Sequence, residues 1–271
     1  MRYIAKVVKA GNVIHITKYE MPVTAGEGDR RRKKKDPPEW ISEMSVTVEK
    51  ENEESIQRRS GRRARLKMMD LIRTNAAYDW KFKGRSCTNK FLTLTFRENV
   101  QDLEWANDQF KKFIQRLNYH VTGEKKAVIK YVVVVEFQKR GAVHYHTLFF
   151  NLPYVPHDEL EKVWGHGWVS INAIDHVDDL GAYLGKYMIK TMEGTENDKD
   201  QKDKKRRRDK GKKRYWASRG LIKPEVIPIK SEKELDSLAA ELAPHQVYRY
   251  EYDTEYYGRI RYYQYNMIRE K

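Results

Sequence analysis

"VIKYVVVVEF" (residues 128–137), followed three residues later by "GAVHYHTLFF" (141–150), decides the fold. Each half is rich in β-branched and aromatic residues, and a basic, glycine-ending break separates them, which is the pattern of a β-hairpin. On a strand, residues i and i+2 face the same way, so His144 and His146 project to one side and Tyr145 to the other. Two imidazoles on one face can chelate a divalent ion, although packing against a core or local hydrogen bonding explains such a pair equally well. Register decides whether a third ligand is at hand. A three-residue loop, Lys139-Arg140-Gly141 with Gly141 left-handed, places Glu136 opposite His144 and on its face. A two-residue loop would pair Glu136 with Val143 and turn the carboxylate away.

Around this hairpin the pattern alternates between strand and helix. "KFLTLTF" (90–96) alternates as a strand, and "VQDLEWANDQFKKFIQRLNYH" (100–120) repeats apolar residues at helical spacing. A short helix near 157–164, a strand near "GWVSI" (167–171) and a helix across "DDLGAYLGKYMIK" (178–190) follow. This order predicts an α+β fold, a central antiparallel sheet with helices packed on one face. Upstream, "RYIAKVVKAGNVIHITKYE" (2–20) reads as two strands about a Gly-Asn turn, and 24–40 as a basic linker. A helix is expected over 49–73, with Leu66, Met69 and Ile72 at helical spacing. Its basic face suits either an ordinary solvated surface or DNA. "EGTENDKDQKDKKRRRDKGKKR" (193–214) has no apolar residue and reads as a disordered basic loop. "QVYRYEYDTEYYGRIRYYQYNM" (246–267) returns to strand-like alternation rich in tyrosine. The expected organisation is an N-terminal hairpin, linker and basic helix over 1–85, a core over 86–230, and a C-terminal helix with strands packed on the core over 231–271.

Composition narrows the function classes. The chain has 271 residues, a net charge of +15 and a pI near 9.6, which points to a polyanionic partner. No apolar run is long enough to span a bilayer, and "MRYIAKVVKAGNVIH" lacks the apolar core of a signal peptide, so a cytoplasmic protein without membrane association is expected. The single cysteine, Cys87, excludes an intrachain disulfide and a multi-cysteine zinc site, and reads as a small apolar filler. There is no GxxxxGK[ST] phosphate loop, hence no ATP-driven motor within this sequence.

"AYLGKYMIK" (182–190) holds Tyr183, Lys186, Tyr187 and Lys190, a Y-x-x-K spacing written twice. Residues four apart share a helix face, so one site can receive both phenols, each with a lysine three residues on. A phenol with a reference pKa of about 10 is a poor nucleophile at neutral pH and needs a nearby cation and an electrophilic substrate. Packing at a core edge is the plainer use of two such tyrosines.

Taken together, "FLTLTF", "VHYHTLF" with Glu136 eight residues ahead of His144, and "YLGKYMIK" resemble the motifs of the HUH endonuclease superfamily. Within it they are similar to the rolling-circle replication initiators of plasmid and phage type. "YWASRGL" (215–221) looks like a segment that follows the tyrosine helix in phage-type members, and the resemblance covers roughly 88 to 225. Conjugative relaxases carry their tyrosines before the histidine motif, whereas here they follow it. The resemblance implies a ferredoxin-like or RRM-like core with N- and C-terminal additions, and Mg²⁺ or Mn²⁺ held by Glu136, His144 and His146. It also implies attack by Tyr187 or Tyr183 on single-stranded origin DNA, assisted by Lys186 and Lys190, giving a 5′-phosphotyrosyl link and a free 3′-OH. A host helicase is the partner it implies. Arg206, Arg207, Arg208 and Arg219 are the expected DNA contacts, mostly through phosphate. Two other readings stand beside this one, an HUH transposase and a non-catalytic single-stranded nucleic-acid-binding protein in which exposed tyrosines stack bases.

Overall fold

The computed structural model describes residues 1–24, 53–138, 140–175, 177–193, 215–254 and 257–269. In chain order it contains β1 (Arg2–Ala10), β2 (Val13–Thr24), α1 (Glu53–Ala76), β3 (Lys81–Phe82), β4 (Arg85–Ser86), β5 (Lys90–Thr95) and α2 (Leu103–Thr122). There follow β6 (Tyr131–Phe137), β7 (Val143–Phe149), α3 (His157–Trp164), β8 (Val169–Ala173), α4 (Leu180–Glu193) and β9 (Tyr215–Ala217). The chain ends with β10 (Glu225–Ile229), α5 (Glu232–Leu242), β11 (Gln246–Thr254) and β12 (Gly258–Asn266). The fold is α+β. The chain divides into two compact units, Gly61–Lys223 and Met1–Ser60 with Pro224–Lys271.

Unit Gly61–Lys223 is built on an antiparallel sheet of order β8-β5-β7-β6-β9. The four successive valines of β6, Val132 to Val135, are each 0% exposed, which requires cover on both sides of the strand. The structure supplies it, and this corrects the expectation of helices on one face. Val133 and Val135 join Leu92, Leu94 and Tyr145 against Phe110 and Phe113 of α2 and Trp164 of α3. Val132 and Val134 join Phe91 and Leu148 against Met68 and Ile72 of α1 and Leu180 and Leu184 of α4. The α1 pattern is thereby explained as a packed face. Met69 and Ile72 are buried as their spacing predicts, while Leu66 is exposed and Met68 takes its place in the core.

Two features lock α4 onto α1. Gly181 sits where a Cβ would come 2.5 Å from the Met69 carbonyl oxygen, so the two backbones meet at glycine distance. Beside it the Arg73 guanidinium grips Asp179 in a bidentate pair, Nε to Oδ1 at 2.9 Å and NH2 to Oδ2 at 2.7 Å. Asp179 also caps α4 by accepting from the Ala182 amide at 2.9 Å.

Unit Met1–Ser60 with Pro224–Lys271 forms a second antiparallel sheet, of order β10-β1-β2-β12-β11. The expected N-terminal hairpin is present, turning at Gly11 with φ 60. The tyrosine-rich strands complete its sheet, with Tyr262 of β12 opposite Thr17 of β2. Leu235 and Leu242 of α5 pack with Ala5, Val7, Ile16 and Ile229 as its core.

Candidate active site

The loop between β6 and β7 has three residues. The Gln138 amide donates to the Ala142 carbonyl (2.9 Å), the Gly141 amide donates to Gln138 (2.8 Å), and Gly141 has φ 92. Glu136 therefore pairs with His144, and Val134 with His146. On the other side of β7, Thr95 pairs with His144 and Thr93 with His146. Opposed residues share a face, so Glu136, His144, His146, Thr93 and Thr95 all point toward the side that α4 covers.

His146 is 5% exposed and engaged at both ring nitrogens. Nε2 lies 2.6 Å from Glu136 Oε2 and Nδ1 lies 3.1 Å from the Thr93 hydroxyl. With Nε2–H donating to the carboxylate, Nδ1 accepts from Thr93, which fixes ring and tautomer together. His144 is on the same face, its ring 6.2 Å from that of His146, and its buried Nε2 has no hydrogen-bond partner. Burial pushes the His144 pKa down to about 4, with His146 and Arg140 acting in the same direction and Glu136 opposing them. The imidazole is thus neutral near pH 7, with a lone pair to give.

That buried, unpartnered nitrogen tests whether the residues suit a divalent ion, and they do. Two neutral-capable imidazoles and a carboxylate form a borderline N,N,O donor set. Among the described residues no three His, Cys, Asp or Glu side chains already stand in a metal-holding cluster. Glu136 and His146 are instead bonded to each other, through the atoms that an ion would take.

The tyrosine helix lies directly over this pair. The Tyr187 ring stacks on the His146 imidazole at 4.0 Å between centroids and 26° between planes. Phe91 supports both, stacked on His146 at 5.7 Å and on Tyr187 at 5.7 Å. Tyr183, one turn earlier, meets Phe91 edge-on at 5.4 Å and lies 6.1 Å from Tyr187. Burial first, then a hydrogen bond and charge interaction with Tyr183 and the Glu136 carboxylate, push the Tyr187 pKa up to about 12. The Lys186 ammonium sits 5.6 Å from the Tyr183 ring centroid. The two phenols are therefore not equivalent: Tyr187 touches the histidine, and Tyr183 has the lysine.

Of the other expected residues, Arg219 is exposed in the turn after β9, where its carbonyl accepts from the Lys130 ammonium at 2.8 Å. The side chain of Lys190, and Arg206, Arg207 and Arg208, lie outside the described residues. Thr93, Arg73 and Asp179 were missed by sequence reasoning. Thr93 had a signal, since the threonines of "FLTLTF" alternate with core leucines, but nothing local to α1 or α4 links Arg73 to Asp179. Among the described residues no helix is long and apolar enough to cross a membrane.

Residues 89–192, less than half of the chain, match the family model described as Replication-associated protein ORF2. No curated protein and no solved structure matches the chain. The matched segment runs from β5 through the Glu136–His144–His146 hairpin to Tyr183 and Tyr187. It supports a replication initiator family, and with it DNA as the partner.

Proposed function

We propose that this protein initiates replication by nicking single-stranded origin DNA through tyrosine transesterification of the HUH type, and that it rejoins strands without ATP. The observation that carries the reading is the stack of Tyr187 on His146, whose imidazole is held between Glu136 and Thr93.

Glu136, His144 and His146 would hold Mg²⁺ or Mn²⁺, the imidazoles favouring Mn²⁺. When bound, such an ion supplies Lewis-acid polarisation of the scissile phosphate. With its pKa raised to about 12, Tyr187 enters the reaction as a neutral phenol and must lose its proton as it attacks. Its oxygen forms a bond to phosphorus while the P–O3′ bond breaks, and the net transfer of the phenolic proton to O3′ leaves a free 3′-OH. The product is a 5′-phosphotyrosyl link that conserves the phosphodiester energy, so the reverse reaction seals the strand. Tyr183, with Lys186 beside it, is placed to make the second transfer. Arg206, Arg207, Arg208 and Arg219 would add phosphate contacts, and duplex unwinding would fall to a host helicase.

The test is incubation of the protein with a labelled pool of single-stranded oligonucleotides and Mn²⁺, followed by a denaturing gel and peptide mapping. A covalent adduct on Tyr187 is expected. Binding of the pool without any adduct, over a range of divalent ions, would leave the non-catalytic binding protein as the better reading.

A further inference from the structure

Rows of side chains cross the catalytic face of the sheet and continue to its edge. Glu136, His144 and Thr95 form one row, and the Trp168 carbonyl accepts from the Thr95 amide at 2.9 Å, which extends that row to Trp168. Val134, His146 and Thr93 form the next, extended by Ser170. Leu148 and Phe91 form a third, extended by Asn172. All three added residues belong to β8 or its entry, and β8 is the edge strand.

Val169 and Ile171 pack into the core of the opposite face, so Trp168, Ser170 and Asn172 alternate onto the catalytic face. Trp168 is 58% exposed, and Ser170 and Asn172 are exposed too. The backbone is held there by close approach. Gly167 has φ 153, and a Cβ on it would collide with the Thr95 carbonyl oxygen and the Arg97 amide. Trp164 Nε1 donates to that same Thr95 carbonyl at 3.1 Å.

The solvent-facing indole thus sits in line with Thr95 and His144, next to two exposed hydrogen-bonding side chains. The β5 and β8 members of these rows carry no charge, so they offer stacking and hydrogen bonds and no phosphate contact. These are the groups with which proteins hold unpaired bases, whose π-faces stack on aromatic rings. We propose that Trp168 is the platform on which a base of the single-stranded substrate stacks beside the scissile phosphate, with Ser170 and Asn172 meeting the edges of adjacent bases. This deepens the nickase reading and rests on it for the position of the phosphate.

Binding and chemistry are tested separately. In EDTA, fluorescence anisotropy with a mixed-sequence single-stranded 20-mer should show Trp168→Ala weakening binding by about 5- to 100-fold, the range for one lost base–aromatic stack. Trp168→Phe should stay within about threefold of wild type, because a phenyl ring still stacks. A duplex of the same sequence should bind all three proteins alike. Photocrosslinking with 5-iodouracil in the single strand should map to the peptide containing Trp168. Equal single-strand affinity of Trp168→Ala and wild type, an equal loss for duplex, or crosslinks only outside β8 would overturn the platform. The adduct assay with Mn²⁺ distinguishes the two proposals. Wild type that forms no adduct yet shows the Trp168 effect defeats the nicking reading alone, and wild type that forms adduct without any Trp168 effect defeats the platform alone.

Discussion

Asp179→Ala should uncouple the tyrosine helix from the rest of the site. The Arg73 side chain is 4% exposed and that of Asp179 16%, so removing the carboxylate leaves a guanidinium buried with Asp70 at 3.2 Å as its remaining acidic partner. Deleting one partner of a buried pair costs about 3–5 kcal/mol. Asp70 offsets part of this, while the lost cap at Ala182 adds about 1 kcal/mol, so about 3–4 kcal/mol is expected. Asp179→Asn keeps an acceptor for the cap and should cost less. The sign of the pH dependence follows from the same contacts. Burial raises the Asp179 carboxyl pKa, but the Arg73 hydrogen bonds and charge, with the α4 amides, more than offset this and hold it below its ordinary value. A depressed folded-state pKa contributes stability above the unfolded pKa of about 3.9, and that contribution is lost as pH falls through the folded value. The assay is urea unfolding followed by tryptophan fluorescence, since Trp105, Trp164 and Trp216 all lie in the unit that carries the pair, repeated at pH 7 and pH 3. A cost below about 1 kcal/mol at pH 7, or additivity with Arg73→Met, would refute the reasoning, because coupled partners must show an interaction energy.

Four further outcomes are expected. His144→Ala and His146→Ala should each reduce adduct formation on the order of 100-fold or more while binding to mixed-sequence DNA persists, measured by gel and anisotropy on the same samples; full Mn²⁺-dependent adduct from the double variant would remove both from the metal site. Thr93→Val should lower activity about 10- to 100-fold through the freed His146 Nδ1, and Thr93→Ser should restore most of it in the same gel. Tyr187→Phe should abolish most of the first adduct, whereas Tyr183→Phe should spare it and impair strand joining; mass spectrometry placing the adduct on Tyr183 alone would reverse the two roles. Neutral replacement of Arg206, Arg207 and Arg208 should weaken all sequences about equally and flatten the dependence of log affinity on log salt, whereas a selective loss of origin binding would show that this segment reads bases.

What the sequence determined by itself was local. Alternation along "FLTLTF" and "VHYHTLF" set which residues share a face, and Gly141, with its φ of 92, let a three-residue loop set the register that opposes Glu136 to His144. Helical spacing put Tyr183 and Tyr187 on one side of α4. All of these follow from a period of 2 or 3.6 within one strand pair or one helix. The tertiary structure decided what those periods leave degenerate. The spacing of the two Y-x-x-K units treats both tyrosines alike, and only the placement of α4 over β5 and β7 gives Tyr187 the His146 ring and leaves Tyr183 beside Lys186. Four buried valines could have belonged to a strand or a buried helix, and helices on both faces became evident only with α1 and α4 in place. That placement rests on Arg73 and Asp179, 106 residues apart, as the pairing of the chain ends rests on β2 with β12. Such contacts come from complementary shape and charge between elements that meet only once the chain has closed long loops, and no periodicity within either element encodes its partner.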